Sequence, residues 1–289
     1  MHARRRYTVP LPGGRTLCLG ARTLVMAIVN LTPDSFSDAA PLADPARALD
    51  AALAAEAEGA DIIDLGAEST RPGAPPVDAA EELRRLLPAL RAIAPKCGVP
   101  LSIDTTKAAV ARAALDEGAA IVNDISGLRY DPGLGRVAAE ARAGLVLMHM
   151  RGRPADMYRE ALYGDVVAEV RDELAASLAA AEAAGVARDA VIVDPGLGFA
   201  KRAEHNYALL ARLPELAALD RPILVGSSRK SFLARAVGDV PPAGRDWGTA
   251  ATVAAAILGG AHLVRVHAVG PMVHVARVAD EILRGADRL

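Results

Sequence analysis

Eight short, unbroken apolar runs recur along this chain, and each ends in polar or conformationally special residues. The endings are Asn30, Asp64, Asp104, Asn123-Asp124, His149, Asp194, Gly226-Ser227-Ser228 and Arg265-Val266-His267. The runs are LVMAIV (24–29), DIIDLG (61–66), VPLSID (99–104), AAIVND (119–124), LVLMH (145–149), AVIVD (190–194), PILVG (222–226) and HLVRVH (262–267). Continuous apolar strands of this kind are buried on both faces, as in parallel sheets covered by helices. Ala- and Leu-rich stretches with helical spacing lie between them, at about 44–58, 78–94, 106–117, 132–142, 163–184, 203–213, 229–237 with 247–258, and 271–285. Eight such units predict an α/β fold, a closed (β/α)8 TIM barrel, whose chemistry sits where the strands end. An open, doubly wound sheet is the alternative.

Tyr7 to Gly20 reads as a β-hairpin turning at Pro12-Gly13-Gly14, placed to cover the barrel bottom. The expected division is an N-terminal tail and hairpin at 1–22, then one barrel over 23–289. Gly59, Gly118, Gly144 and Gly185 fall just past helix ends, where a left-handed cap favours glycine. Two long connections follow the first two strands, Leu31 to Leu42 and Ala67 to Val77, and loops of this length are expected to bind or cover ligands.

The 289 residues are 52% apolar with a net charge of −2, which gives no reason to expect nucleic acid or an anionic membrane as partner. Cys18 and Cys97 form no metal or redox spacing, so a reducing cytoplasm is the simplest setting. Arg4-Arg5-Arg6 is followed by no apolar segment of the signal-peptide kind and reads as a solvated tail. No run reaches the roughly 18 apolar residues of a membrane span.

The strand endings divide by sign. Asp64, Asp104, Asp124 and Asp194, with Asn123, form a set of acceptors suited to a nitrogen heterocycle rich in N–H donors. A hard metal could also occupy such a set, although it matches no usual transition-metal ligand group. Asp64 and Asp124 could instead be structural, pinning the loops that follow. Arg265 and His267 alternate onto one face of the last strand, which neighbours strands one and two in a closed barrel. Asn30, Thr70 and Arg71 come from those strands, and the group suits a phosphate or diphosphate. The alternative for Arg265 is a salt bridge to a barrel aspartate. Asn30 could bring Mg2+ to the same oxygens. Ser228 lies near an expected helix start suited to a carboxylate, and Lys230 could face the mouth. Lysines are scarce, only Lys96, Lys107, Lys201 and Lys230, and the phenylalanines are Phe36, Phe199 and Phe232.

These segments resemble the dihydropteroate synthase family. The resemblance is carried by MAIVNLTPDSFSD (26–38), DLGAESTRPGA (64–74), LSIDTTK (101–107), VNDISG (122–127), MHMRG (148–152), VIVDPGLGFAK (191–201), VGSSRKS (225–231) and RVH (265–267), in order over nearly the whole barrel. It implies condensation of a dihydropterin methyl diphosphate with p-aminobenzoate, Mg2+ as cofactor, and a homodimer. It places the pterin on Asp104, Asn123, Asp194, Gly226 and Lys230, and the diphosphate on Asn30, Thr70, Arg265 and His267, with Asn30 as the metal ligand. It places p-aminobenzoate on Phe36, Arg71, Pro72, Phe199 and Ser228, and implies catalytic roles for Asp38, Arg71, Asp104 and Lys230. The chain departs from the family pattern at Ala39-Ala40, Ala200, Ser227 and Ala268, the last where an aspartate is common. A pterin-binding methyltransferase would share the acidic set without needing TPDSFSD, Arg265-His267 or the SRK loop. A non-catalytic pterin-binding protein and a Schiff-base aldolase using Lys230 are further alternatives.

Overall fold

The computed structural model describes residues 4–32 and 44–286. All eight expected strands form, as β3 (Leu24–Asn30), β4 (Ile62–Gly66), β5 (Leu101–Asp104), β6 (Ile121–Asp124), β7 (Gly144–Met148), β8 (Val191–Asp194), β9 (Leu224–Val225) and β10 (Leu263–Val266). They pair in parallel in the order β8-β7-β6-β5-β4-β3-β10-β9. A parallel bridge between Val193 and Ile223, with the Val193 N–H donating to the Pro222 carbonyl at 3.0 Å, joins the two ends. The sheet is therefore a barrel.

The strand residues alternate between two environments, as the two-residue pleat requires. Leu24 and Met26 of β3 join Ile62, Ile121, Val146, Ile192, Leu224 and Leu263 in an inner cluster. Val25, Ala27 and Val29 of the same strand pack outward with the helix residues Ala48, Ala52, Met272 and Ala276. The flanking helices are α1 (Pro45–Ala57), α2 (Ala79–Ile93), α3 (Ala108–Asp116), α4 (Gly133–Ala141), α5 (Val166–Ala183), α6 (Ala203–Ala211), α7 (Ala234–Val237), α8 (Asp246–Leu258) and α9 (Val269–Ala286). Asp44, Asp78 and Asp165 start α1, α2 and α5 by accepting hydrogen bonds from first-turn amides.

The hairpin forms from β1 (Tyr7–Pro10) and β2 (Thr16–Leu19). Its turn needs glycine, since Gly13 and Gly14 have φ of 72° and 75°. Val9, Leu11, Leu17 and Leu19 belong to the inner cluster with the first residues of the strands, so the hairpin plugs the N-terminal end of the barrel. Each large aliphatic side chain buried there contributes about 1.5–3 kcal/mol.

Three local expectations change. Gly59, Gly118 and Gly185 do take left-handed conformations, but Gly144 does not. It begins β7, and Arg142 at φ 52° ends α4 in its place. A side chain at 144 would meet Leu11 Cδ2 at 3.0 Å and Ile121 Cγ1 at 3.3 Å, so this glycine admits the hairpin. Arg4 is not solvated: its side chain is 4% exposed, pairs with Asp280, and donates to Thr23 Oγ1 at 2.6 Å and the Ala261 carbonyl at 2.8 Å. The arginine run looked uniform in sequence, but one member finds a buried carboxylate on α9. The third change concerns the segment after β9. A 3-10 turn (Ser231–Leu233) and the four-residue α7 follow, broken at Gly238 (φ 83°), and a second 3-10 turn (Pro242–Arg245) leads into the longer α8 at Asp246.

Candidate active site

The acidic endings and Arg265 meet at the mouth. Arg265, from β10, donates Nε to Asp64 Oδ2 at 2.6 Å and a terminal nitrogen to Asp104 Oδ2 at 2.8 Å. Asn123, from β6, donates Nδ2 to the same Asp64 oxygen at 3.1 Å, while Asp64 Oδ1 is buried with no hydrogen-bond partner among the described residues. Asp64 is fully buried and orients both neighbours. The salt-bridge alternative for Arg265 is thus realised, and it links Arg265 to the acidic pocket. Burial works against the guanidinium charge, but Asp64 and Asp104 outweigh it and hold the arginine pKa above its ordinary value. Burial pushes Asp104 up to about 7, opposed by Arg265 and reinforced by Asp64.

Asp124 turns away from this group. Its Oδ1 accepts from Ser126 N at 2.8 Å and Ser126 Oγ at 2.7 Å, and its Oδ2 from Leu128 N at 2.6 Å. Those bonds pin a tight turn in which Gly127 and Leu128 have φ of 59° and 66°. The structural reading therefore applies to Asp124 as a loop anchor and to Asp64 as a hub.

A second group forms around Lys230. Its Nζ donates to the Leu197 carbonyl and lies 4.3 Å from the Phe199 ring centroid, a cation–π contact. Burial lowers Lys230 to about 8, opposed chiefly by Asp194. Asp194 is itself raised by burial, against the pull of Lys230, and its Oδ1 accepts from Gly196 N at 2.7 Å. Gly226 lies between Arg265 and Asp194: a Cβ there would be 3.7 Å from Arg265 Cβ and 3.9 Å from Asp194 Oδ2, ordinary contact distances.

The third group is Ser228 with His267. Ser228 Oγ lies 2.9 Å from His267 Nδ1 and accepts from the His267 backbone N–H at 3.2 Å. Burial, with Arg229, Arg265 and Arg71 nearby, lowers His267 to about 3, so its imidazole is neutral at physiological pH and can supply a hydrogen bond without charge. No long helix starts at Ser228, so no helix dipole is available to a carboxylate there. Arg229, next in the chain, has a backbone φ of 57° and makes a bidentate ion pair with Asp246 at 2.8 and 2.9 Å.

Asn30 closes β3, and its Oδ1 would lie 3.8 Å from a Cβ placed on Gly66. Thr70, Arg71 and Pro72 sit on the β4 loop, with Thr70 half-buried and the other two exposed. Arg71 is near enough to His267 to depress its pKa. Phe36, Asp38 and Ala39-Ala40 lie outside the described residues.

The sequence reading gave no role to Lys107, although LSIDTTK contains it. Its Nζ donates to Glu68, on the β4 loop, and to buried Glu82 at 2.6 Å, while Glu68 also accepts from Val77 N at 2.9 Å. The loop carrying Thr70 and Arg71 is thereby tied at its base. His149 stands at a strand end and Lys201 within a motif, and the sequence alone assigns neither a role. Lysine scarcity was the available signal. Two departures gain an account. Ala200 adopts φ 48°, a left-handed conformation that suits the glycine common there. Ala268 precedes α9, where an aspartate would cap the helix, and here Glu58 Oε2 accepts from Gly270 N at 2.8 Å. Ser227 is buried beside Thr252, the two hydroxyl oxygens 2.8 Å apart.

Fold and mouth together define a (β/α)8 barrel with a ligand site in which an acidic pocket adjoins a cationic rim. Residues 26–267 match the family described as pterin binding enzyme, and the chain belongs to that family. The dihydropteroate synthase of Synechocystis sp. is 48% identical over 279 residues, covering 96% of each chain. Among solved structures, the Yersinia pestis dihydropteroate synthase in a sulfonamide drug complex is 38% identical with TM-score 0.89, covering 95% of this chain and 98% of that one. The Burkholderia cenocepacia dihydropteroate synthase complexed with 7,8-dihydropteroate is 43% identical with TM-score 0.86, covering 98% and 99%.

Proposed function

We propose that this chain is a dihydropteroate synthase, joining a dihydropterin methyl diphosphate to p-aminobenzoate. One observation carries the reading: Arg265 binds Asp64 and Asp104 at 2.6 and 2.8 Å, while His267, two residues on, is fixed beside Ser228. A donor-rich ring and its phosphorylated arm therefore have adjacent places. Asp104, Asn123 and Asp194 accept from the pterin edge, Lys230 and Gly226 bound it, and Asn30, Thr70, Arg265 and His267 receive the diphosphate. Phe199, Ser228, Arg71 and Pro72, with Phe36 and Asp38 of the first loop, serve the p-aminobenzoate side.

The reaction breaks the methylene C–O bond, and its electron pair leaves with the diphosphate. Arg265 supplies fixed charge and His267 a neutral donor to that group, which lowers the barrier as preorganised donors do elsewhere. The pterin ring and ionised Asp104 stabilise the positive charge left on the methylene. The aryl amine nitrogen then forms the C–N bond and releases a proton to solvent. Holding both reactants in contact can contribute about 7–11 kcal/mol to such a step.

Among the described residues, no cluster of three or more His, Cys, Asp or Glu could hold a metal. Asn30 offers one neutral amide oxygen. That donor set fits Mg2+, which keeps most of its waters and takes further ligands from phosphate oxygens. When bound, it neutralises charge on the departing diphosphate.

Trp247 on α8 is 87% exposed, and Val278 and Ile282 on α9 are 63% and 47% exposed. These neighbouring helices support a homodimer, which sedimentation equilibrium would detect and a monomer at all concentrations would refute. No helix among the described residues is long and apolar enough to cross a membrane, and the two free cysteines agree with a cytoplasmic setting. Incubation with the pterin diphosphate, p-aminobenzoate and Mg2+ should release diphosphate and form dihydropteroate. Absence of product at high enzyme concentration would overturn the reading, and pterin binding without turnover would mark a binding protein.

A further inference from the structure

Lys201 has no place in the chemistry above, yet it is among the most deeply buried large side chains in the protein, 2% exposed. Its Nζ lies 2.8 Å from His149 Nδ1, 3.0 Å from the Phe199 carbonyl and 3.1 Å from the Gly196 carbonyl, with the His149 carbonyl at 3.4 Å. On the far side of the imidazole, Nε2 lies 3.0 Å from Glu173 Oε2. Glu173 is in turn held by Arg151, whose Nε donates at 2.9 Å.

The hydrogens follow from this geometry. Burial lowers His149 to about 3, so its ring is neutral and carries one N–H. That N–H belongs on Nε2, facing the carboxylate, which leaves Nδ1 as an acceptor. Three acceptors then converge on Nζ within 3.1 Å. An ammonium has three N–H bonds to give, whereas a neutral amine would set its lone pair against one acceptor. Burial pulls Lys201 well below its ordinary value, Asp194 and Glu173 oppose that pull, and Lys230 and Arg151 add to it.

The segment bound this way is the contorted β8 loop. Gly196, Gly198 and Ala200 all have positive φ, at 67°, 80° and 48°. A Cβ on Gly196 would fall 1.9 Å from the His149 carbonyl oxygen, and one on Gly198 would lie 2.7 Å from Lys230 Cδ. The Tyr163 hydroxyl donates to the Ala200 carbonyl at 3.0 Å, and the Arg151 guanidinium lies 4.1 Å from the Tyr163 ring centroid. The same loop gives Lys230 its carbonyl partner, Leu197, and its aromatic face, Phe199.

We propose that Lys201 is a positioning residue: a buried ammonium, fixed by His149 and Glu173, that gathers the Gly196 and Phe199 carbonyls so that the loop holds Lys230 in place for the pterin and Phe199 in place for the p-aminobenzoate. This deepens the synthase reading and rests on it for the identity of the ligand.

The test compares the full-length variants Lys201→Met, His149→Leu and His149→Asn with the unmodified protein. Steady-state kinetics would be measured for both substrates, together with binding of a simple 6-hydroxymethylpterin and thermal unfolding. Misplacing reacting groups by about 1 Å costs on the order of 100-fold. Lys201→Met should lower kcat by about that factor and weaken pterin binding by roughly 10-fold, and it should raise the KM for p-aminobenzoate through Phe199 as well as the KM for the pterin through Lys230. His149→Asn keeps an acceptor near Nδ1 and should recover most of what His149→Leu loses. Folded Lys201→Met with kcat and pterin affinity near those of the unmodified protein would overturn the proposal. So would His149→Asn and His149→Leu being equally impaired. The histidine pair decides the matter if Lys201→Met does not fold. A protein with no turnover at all would refute the synthase reading, and pterin binding would still judge Lys201.

Discussion

Asp64→Asn tests how the acidic pocket is wired. Asp64 and Asp104 bind one guanidinium, at 2.6 and 2.8 Å, which sets the two carboxylates roughly 5 Å apart. At an effective dielectric of about 20, like charges at that separation repel by about 3 kcal/mol, equivalent to roughly two pKa units. Asp104 is pushed up to about 7, by burial first, with Arg265 pulling down and Asp64 pushing up. Replacing Asp64 with the uncharged amide removes the repulsion and leaves the Arg265 charge to Asp104. The Asp104 pKa should then fall to about 5. An amide also keeps a polar partner for Asn123, so the pocket need not collapse.

The assay is the pH dependence of kcat/KM, which reports groups of the free enzyme. Ionised Asp104 accepts the pterin N–H donors, so activity falls as pH drops through its pKa. The unmodified protein should lose activity below about pH 7, and Asp64→Asn should retain it down to about pH 5. Asp104→Asn should abolish the acid limb together with most of the activity. If the acid limb of folded Asp64→Asn stayed at pH 7 or moved upward, the electrostatic account of the pocket would be wrong.

On the alkaline side, Lys230 is lowered to about 8 and loses its charge as pH rises through that value, so kcat/KM should fall above pH 8. In Lys230→Met the residual activity should show no such limb, as a full profile would reveal. Arg4→Ala leaves Asp280 with Thr23 alone and should cost about 3 kcal/mol, whereas exposed Arg6→Ala should change stability by less than about 0.5 kcal/mol; equal effects in thermal melts would contradict the buried-anchor reading. Glu58→Ala should cost roughly 0.5–1 kcal/mol by uncapping α9, and adding Ala268→Asp should restore it. Additive loss in that double variant would refute the capping argument.

The barrel was legible because its cause is local. Each strand is a run of apolar residues that must be covered on both faces, and each helix shows its buried stripe in the spacing of Ala and Leu. The mouth was legible for a related reason, since a residue at a strand end has only one place to go. Partner choice was less accessible. Nothing in the spacing of Arg265, Asp64 and Asp104 says that one guanidinium will bind both carboxylates, because that depends on strands far apart in sequence becoming neighbours around a ring. Arg4 illustrates the same limit: a buried anchor and an exposed tail have the same residue type, and only Asp280, 276 positions away, distinguishes them. Ala200 and Ala268 could be seen as departures, but their meaning required a φ angle and a capping distance. Lys201 is the fullest case. Lysine is rarely buried without a reason, and this one becomes intelligible only when two carbonyls of its own loop and an imidazole from the end of β7 are found around its nitrogen. Reactive groups can therefore be read from where strands end, while the residues that hold them in register must be sought among buried polar side chains with no role in the chemistry.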